Sequence, residues 1–233
     1  MHSAAPLDSP PSPPRPEKSR APRAAALLGA ASLLLILLVE LEWRPLRSLD
    51  GDIARTTHGW AVAHDGLTQT SRILTDWVWD PWTMRALITV AVLWVAFRGA
   101  YRLALWLAVT CAAGTLVQQG LKAAVDKPRP VWPDPVDSAH FAAFPSGHAM
   151  TATVVCGLIL WLLRLYGAGP AVWRTGVTLA VVSVVGVGVT RIWNGVHWPS
   201  DVMGGWLLGA LAVTLAITTY TSRPGTRTAT HPA

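Results

Sequence analysis

Charge is scarce in this chain. Asp, Glu, Lys and Arg make up 14% of the 233 residues, against about 25% in an ordinary soluble domain. That is too little to cover the surface of a water-soluble protein of this size. Cysteine is scarcer still: Cys111 and Cys156 are the only two, and both lie within apolar stretches. A disulfide framework is excluded, and a cysteine-based metal cluster has too few ligands. What is abundant is hydrophobic: 52% of the residues, gathered into long runs nearly free of charge. Such runs exclude both intrinsic disorder and a small soluble core, and they mark a membrane protein.

Six runs qualify as candidate spans, at 24–41, 82–97, 103–121, 150–163, 172–190 and 202–222. A helix rises 1.5 Å per residue and needs roughly 20 residues to cross the hydrocarbon, a length that four of the six reach or approach. The run at 82–97 is the weakest, because Arg85 lies inside it and must snorkel to the interface. The first run follows a basic stretch, as a signal peptide does, but Glu40, Leu41, Glu42 and Trp43 offer no small-residue cleavage site. It reads as an uncleaved anchor. The expected fold is all-α: a polytopic membrane protein of six transmembrane helices. Residues 1–23, rich in Pro, Ser and basic residues, read as a disordered tail, and 223–233 as a short polar one.

The two short loops at 98–102 and 164–174 carry only basic charge, which places both termini on the cytoplasmic side of the plasma membrane. The opposite side carries most of the acids and the long connector 42–81. Within it Ile73, Leu74, Trp77 and Val78 recur at helical spacing, so this first outer loop is expected to hold an interfacial helix on the outer leaflet.

Three polar stretches fall on that same outer side. The first runs from Lys122 through Arg129 and Pro130, the second is Pro145-Ser146-Gly147-His148, and the third runs from Thr190 and Arg191 to His197 and Asp201. Each suits a phosphate. Lys122, Arg129 and Arg191 bring three cations to one face, and guanidinium forks match phosphate oxygens in pairs. Pro128 and Pro130 hold the chain around Arg129 stiff and extended. Ser146 is placed to cap the fourth span, and Gly147 lets backbone N–H groups approach an anion at a helix N-terminus. His197 and Asp201 are four residues apart, so a sixth helix that begins near there would put them on one face. The carboxylate can then accept the imidazole Nδ1–H and leave Nε2 free as a nucleophile.

Lys-x6-Arg-Pro, Pro-Ser-Gly-His and Arg-x5-His-x3-Asp, in this order on helix ends, resemble the three signature motifs of the type 2 phosphatidic acid phosphatase superfamily. That superfamily includes membrane lipid phosphatases and vanadium haloperoxidases. The resemblance covers residues 122–201 and departs at Thr190, where the family usually has Ser; the hydroxyl is kept. It implies a six-helix membrane phosphatase domain over 24–222 that hydrolyses a lipid-linked phosphate or pyrophosphate without a metal or other cofactor. Isoprenyl (undecaprenyl-type) pyrophosphate, phosphatidate and phosphatidylglycerol phosphate are among the implied substrates. His197 would form a phosphohistidine, Asp201 would fix its tautomer, and His148 would protonate the leaving oxygen and then activate water. Lys122, Arg129, Ser146, Gly147 and Arg191 would hold the phosphate oxygens. The implied partners are the lipid substrate and the bilayer, with no nucleic acid.

Two other functions use the same residues. A transporter or lipid-binding protein could hold an anion on the cations alone, but has no need of two histidines and an orienting Asp. A metal-dependent hydrolase could ligate through His148, His197 and Asp201, but the crowd of cations disfavours a dication there. His140 reads as a solvated loop histidine, and His58 and His64 carry no spacing that gives them a role. Gly186, Gly188, Gly204, Gly205 and Gly209 read as points of close helix contact.

Overall fold

Each of the apolar runs is helical in the computed structural model, which describes residues 21–222. The order is α1 (Ala21–Glu40), α2 (Arg44–Ala63), α3 (Asp65–Ile73), a π-helical turn (Leu74–Val78), α4 (Pro81–Phe97), α5 (Tyr101–Val125), α6 (Gly147–Leu165), α7 (Pro170–Trp193) and α8 (Pro199–Thr221). No strand occurs among the described residues. Pro81, Pro170 and Pro199 each open a helix, where a missing N–H costs nothing. The carboxylate of Asp80 caps α4 by accepting from the Trp82 amide at 2.8 Å. Gly99 and Gly167, at φ +80° and +69°, turn the chain between α4 and α5 and between α6 and α7.

Among the described residues, six helical stretches are long and apolar enough to cross a membrane: α1, the run Asp65–Phe97, and α5 to α8. The chain is a multi-pass membrane protein. Its outward faces carry exposed Leu33, Leu34, Val90, Leu105 and Leu116, as suits helices whose backbone groups are satisfied internally and whose side chains meet lipid. The core lies around α6, which packs against α8, α7, α4 and α5, while α1 leans on α8. Leu107, Ala152, Leu158 and Val187 are fully buried there.

The seam between α6 and α8 is backbone against backbone. A Cβ at Gly205 would lie 2.7 Å from the carbonyl oxygen of Ser146, and one at Gly209 would lie 3.0 Å from that of Met150. The glycines act in packing, as their type and spacing suggest.

The connector 42–81 departs from expectation. It is not a loop with one helix near 73–78 but is helical almost throughout, as α2, α3 and the π-helical turn. Asp50, Ala54, His58 and Ala61 form the buried face of α2, which packs on α7 and α8. Two of those four residues are polar, and this hid the face from a hydrophobic pattern. Residues 73–78 are the join between α3 and α4: Trp77 is exposed, whereas Trp79 is buried against Gly186. The tail segments 1–20 and 223–233 lie outside the described residues, as do the chain ends whose cytoplasmic side was expected. Residues 21–23, read as tail, belong to α1.

Candidate active site

Four consecutive spans alternate in direction, so the C-terminal ends of α5 and α7 meet the N-terminal ends of α6 and α8. Lys122 lies in the last turn of α5, His148 in the first turn of α6, Arg191 in the last turn of α7 and Asp201 in the first turn of α8. The segment between α5 and α6 crosses this end of the bundle. It begins where Asp126 takes a left-handed conformation (φ +41°) and closes α5. It is then tied to the loop between α7 and α8 at several points. Trp198 Nε1 donates to Pro128 O at 2.8 Å, and Trp132 Nε1 donates to Gly195 O at 2.8 Å. Arg129 Nη1 donates to Val196 O at 2.6 Å.

A cleft of ≈ 570 Å³ opens at this end, and Lys122, Arg129, Gly147, His148, Arg191 and His197 all line it. Ser146 and Asp201 lie beneath, each 0% exposed. The His197 ring is 2% exposed. Its Nδ1 stands 3.2 Å from Asp201 Oδ2, which also accepts from the Trp198 amide at 2.9 Å. With Nδ1–H directed at the carboxylate, Nε2 carries the lone pair, and Arg129 Nη1 lies 3.1 Å from it. Burial, reinforced by Arg129 and Arg191, pushes the His197 imidazole down to about 3 although Asp201 opposes the shift. The ring is therefore neutral at physiological pH, the state a nucleophile needs.

The cations are held by carbonyls and acids. Arg129 donates from Nε to Phe141 O at 2.8 Å and from Nη2 to His140 O at 3.0 Å. Burial and neighbouring Arg191 lower this guanidinium to about 10, so it stays charged. Lys122 Nζ donates to Ala142 O. Arg191 is 4% exposed; its Nη1 lies 3.7 Å from Asp137 Oδ2 and 4.0 Å from Asp76 Oδ1. At this site two buried donors, Arg191 Nε and Ser146 Oγ, have no hydrogen-bond partner among the described residues.

One local expectation needs correction: Ser146 occupies the N-cap position of α6, but its hydroxyl caps nothing, while its amide donates to Asp201 O at 2.9 Å. Thr190 Oγ1 donates to Val187 O at 3.0 Å within its own helix. His140 is exposed, as expected for a loop histidine. His58 is not: it is 8% exposed and stacks on Trp132 at 4.1 Å between ring centroids.

Several residues here escaped the sequence. Asp76 and Asp80 enter the cleft from the π-helical turn and the start of α4, with Asp80 Oδ2 3.9 Å from His148 Nε2. Asp137 reaches Arg191 from the segment before α6. Lys127, inside the first motif, points away from the cleft toward Asp201 Oδ1 at 2.9 Å. Acids beside cations are the signal that could have been sought, but only the fold tells which of the chain's acids stand there. No group of three or more His, Cys, Asp or Glu is placed to hold a metal ion among the described residues.

Comparison with known proteins adds the context for this arrangement. Phosphatidylglycerophosphatase B of Bacillus subtilis is 35% identical over 97 residues, 41% of this chain and 47% of that protein. Undecaprenyl-diphosphatase of Sulfolobus acidocaldarius is 34% identical over 92 residues, 40% of this chain and 38% of that protein. Each alignment thus takes in less than half of the relative's length. The fold is similar to the crystal structure of a transmembrane PAP2 type phosphatidylglycerolphosphate phosphatase from Bacillus subtilis. The TM-score is 0.69 at 21% identity, over 88% of this chain and 99% of that one. Residues 103–224 match the family model of the PAP2 superfamily. That match takes in all three motifs and more than half of the sequence, and the chain belongs to the PAP2 superfamily.

Proposed function

We propose that the protein hydrolyses a lipid-linked phosphate monoester or pyrophosphate through a phosphohistidine on His197. The single observation that carries this reading is the His197 ring itself. Its Nδ1 lies 3.2 Å from Asp201 Oδ2, and it lines one cleft with Lys122, Arg129, Arg191 and His148. The family's other named members support the same class, since those similar to this chain are a phosphatidylglycerophosphatase and an undecaprenyl-diphosphatase.

The steps follow from positions. Phosphate oxygens enter among Lys122, Arg129 and Arg191, and take up the free donors Arg191 Nε and Ser146 Oγ. Arg129 turns from the His197 lone pair toward the phosphate. The negative charge of the bound phosphate offsets the cations around His148 and lets its ring take up a proton. Nε2 of His197 then forms a bond to phosphorus as the P–O bond to the lipid breaks, and His148 passes that proton to the departing oxygen. Asp201 stabilises the positive charge that develops on the ring. Water next attacks phosphorus, giving a proton to His148, and the N–P bond breaks to restore His197. The protein's part is positioning and charge stabilisation, which phosphoryl transfer chiefly requires.

The purely basic loops 98–102 and 164–174 support a topology with the cleft on the outer face of the plasma membrane and both chain ends in the cytoplasm. Labelling with an impermeant thiol reagent tests this in a Cys111→Ser, Cys156→Ser background. Ser138→Cys is labelled in intact cells, and Gly169→Cys only after permeabilisation; the reverse pattern inverts the topology.

Purified protein in detergent, assayed for phosphate release from phosphatidylglycerol phosphate and undecaprenyl diphosphate, tests the activity. The expected result is turnover of at least one, abolished in His197→Ala. Unchanged release in that variant, or none in the wild type, removes the reading.

A further inference from the structure

Behind the His197–Asp201 pair, on the side away from the cleft, lies a second group of charges that the steps above do not use. Lys127 Nζ donates three hydrogen bonds: to Asp201 Oδ1 at 2.9 Å, to Asp50 Oδ2 at 3.1 Å and to Ser200 Oγ at 2.7 Å. Asp50 in turn accepts from the Ser200 amide at 2.9 Å through Oδ1, and from the Ser200 hydroxyl at 2.5 Å through Oδ2. Every proton of the ammonium is placed, and every oxygen of both carboxylates has a partner. Asp50, Ser200 and Asp201 are each at most 4% exposed. None of Asp50, Lys127 and Ser200 lines the cleft.

The group joins three distant parts of the chain: α2, the segment after α5, and the start of α8. Two carboxylates and one ammonium leave it with one net negative charge. That balance matters at His197. An ammonium on Oδ1 draws electron density from Asp201 and weakens it as the acceptor of the imidazole Nδ1–H. A second carboxylate on the same ammonium returns part of that density. Both carboxylates are at most 4% exposed, where such effects are little screened, while Asp50 and Lys127 also border a side cavity of ≈ 290 Å³ with Glu42, Arg47 and Arg55. A charge-neutral pair of Lys127 and Asp201 alone would hold the ring less firmly.

We infer that Asp50, acting through Lys127, sets the strength of the hydrogen bond between Asp201 and His197, so that α2 carries a positioning residue for the nucleophile. The inference rests on the reading of His197 as the attacking group.

The readout is the downfield proton resonance of His197 Nδ1–H in the purified protein, assigned by its loss in His197→Ala, together with kcat and KM for phosphatidylglycerol phosphate. Asp50→Asn keeps the shape and removes the charge. It moves the resonance upfield and lowers kcat about 10-fold, with KM within about twofold of wild type, since Asp50 does not face the cleft. The double variant Asp50→Asn, Lys127→Met leaves Asp201 as a lone carboxylate. It moves the resonance back downfield and recovers part of kcat, where two purely structural losses would add. An unmoved resonance in Asp50→Asn, or additive losses in the double variant, overturns the inference. If Asp50→Asn does not accumulate, a folded and active double variant supports charge balance, and its failure alongside overturns it. Full turnover in His197→Ala is a different result: it removes the nucleophile itself, whereas an inactive His197→Ala with an unmoved Asp50→Asn removes only the role of α2.

Discussion

The backbone amide of Ser146 donates to the carbonyl oxygen of Asp201 at 2.9 Å. This one bond joins the second motif to the third, and it sits at the narrowest point of the α6–α8 seam, where Gly205 meets the Ser146 carbonyl. His148 and His197 thereby keep a fixed separation across the cleft, because each is within a few residues of that bond.

Gly205→Val tests the seam. Its side chain must displace the backbone of α6 and not a flexible group, so a loss of about 1–3 kcal/mol is expected. In a thermal melt of the detergent-solubilised protein this reads as a fall of several degrees, accompanied by loss of phosphate release. A melt and an activity like the wild type's would show that the two helices can part without consequence.

His148→Asn separates the two halves of the reaction. An aryl phosphate with a good leaving group needs little protonation, so His197 can still be phosphorylated. Hydrolysis of the phosphohistidine then lacks its base. The expected trace is a burst of phenolate close to one equivalent per protein, followed by turnover at least about 100-fold slower than wild type. Steady release at the wild-type rate assigns the water-activating role elsewhere.

Asp137→Asn relieves competition at Arg191. The carboxylate lies 3.7 Å from Nη1, where it offsets the charge an incoming phosphate meets. Inorganic phosphate, a product, should then inhibit about 3- to 10-fold more tightly. A weaker or unchanged inhibition constant would mean that Asp137 orients the guanidinium more than it opposes the anion.

Acid should destabilise the fold through its buried neutral histidines. Burial holds His197 at about 3, and it also lowers His58, against the pull of Asp134. The unfolded chain binds protons on both near pH 6.5. Between that value and the folded one it therefore binds more protons than the native state. Stability from this source is complete above about pH 6.5 and is lost as pH falls. Melting temperature measured from pH 7 to 4.5 should decline, and His197→Gln should flatten the decline. An equal slope in the variant would show that other groups govern it.

Much of the candidate site was legible because its parts are local. Lys122, Arg129, His148, Arg191, His197 and Asp201 lie in short stretches whose spacing shows on the page, and the fold brings all six to one end of the bundle. The span pattern was legible for a similar reason, since lipid-facing runs need no partner to be recognised. Asp50 was not legible, because it acts 150 residues away in sequence. The acids over Arg191 were equally hidden, since an Asp in a loop carries no mark of what it will face. The Ser146 hydroxyl was misread as a helix cap because residue type alone does not say where an Oγ points. And α2 was missed since its inward face is polar at the very positions where it serves the site.

The glycine contact between α6 and α8 also bears on how this scaffold can change over evolutionary time. At Gly205 and Gly209 there is no side chain left to trim, and the facing Ser146 and Met150 carbonyls leave no room to add one. The mouth of the cleft is different, since Trp82, Arg85 and Gln119 line it with side chains that can be exchanged without touching that seam.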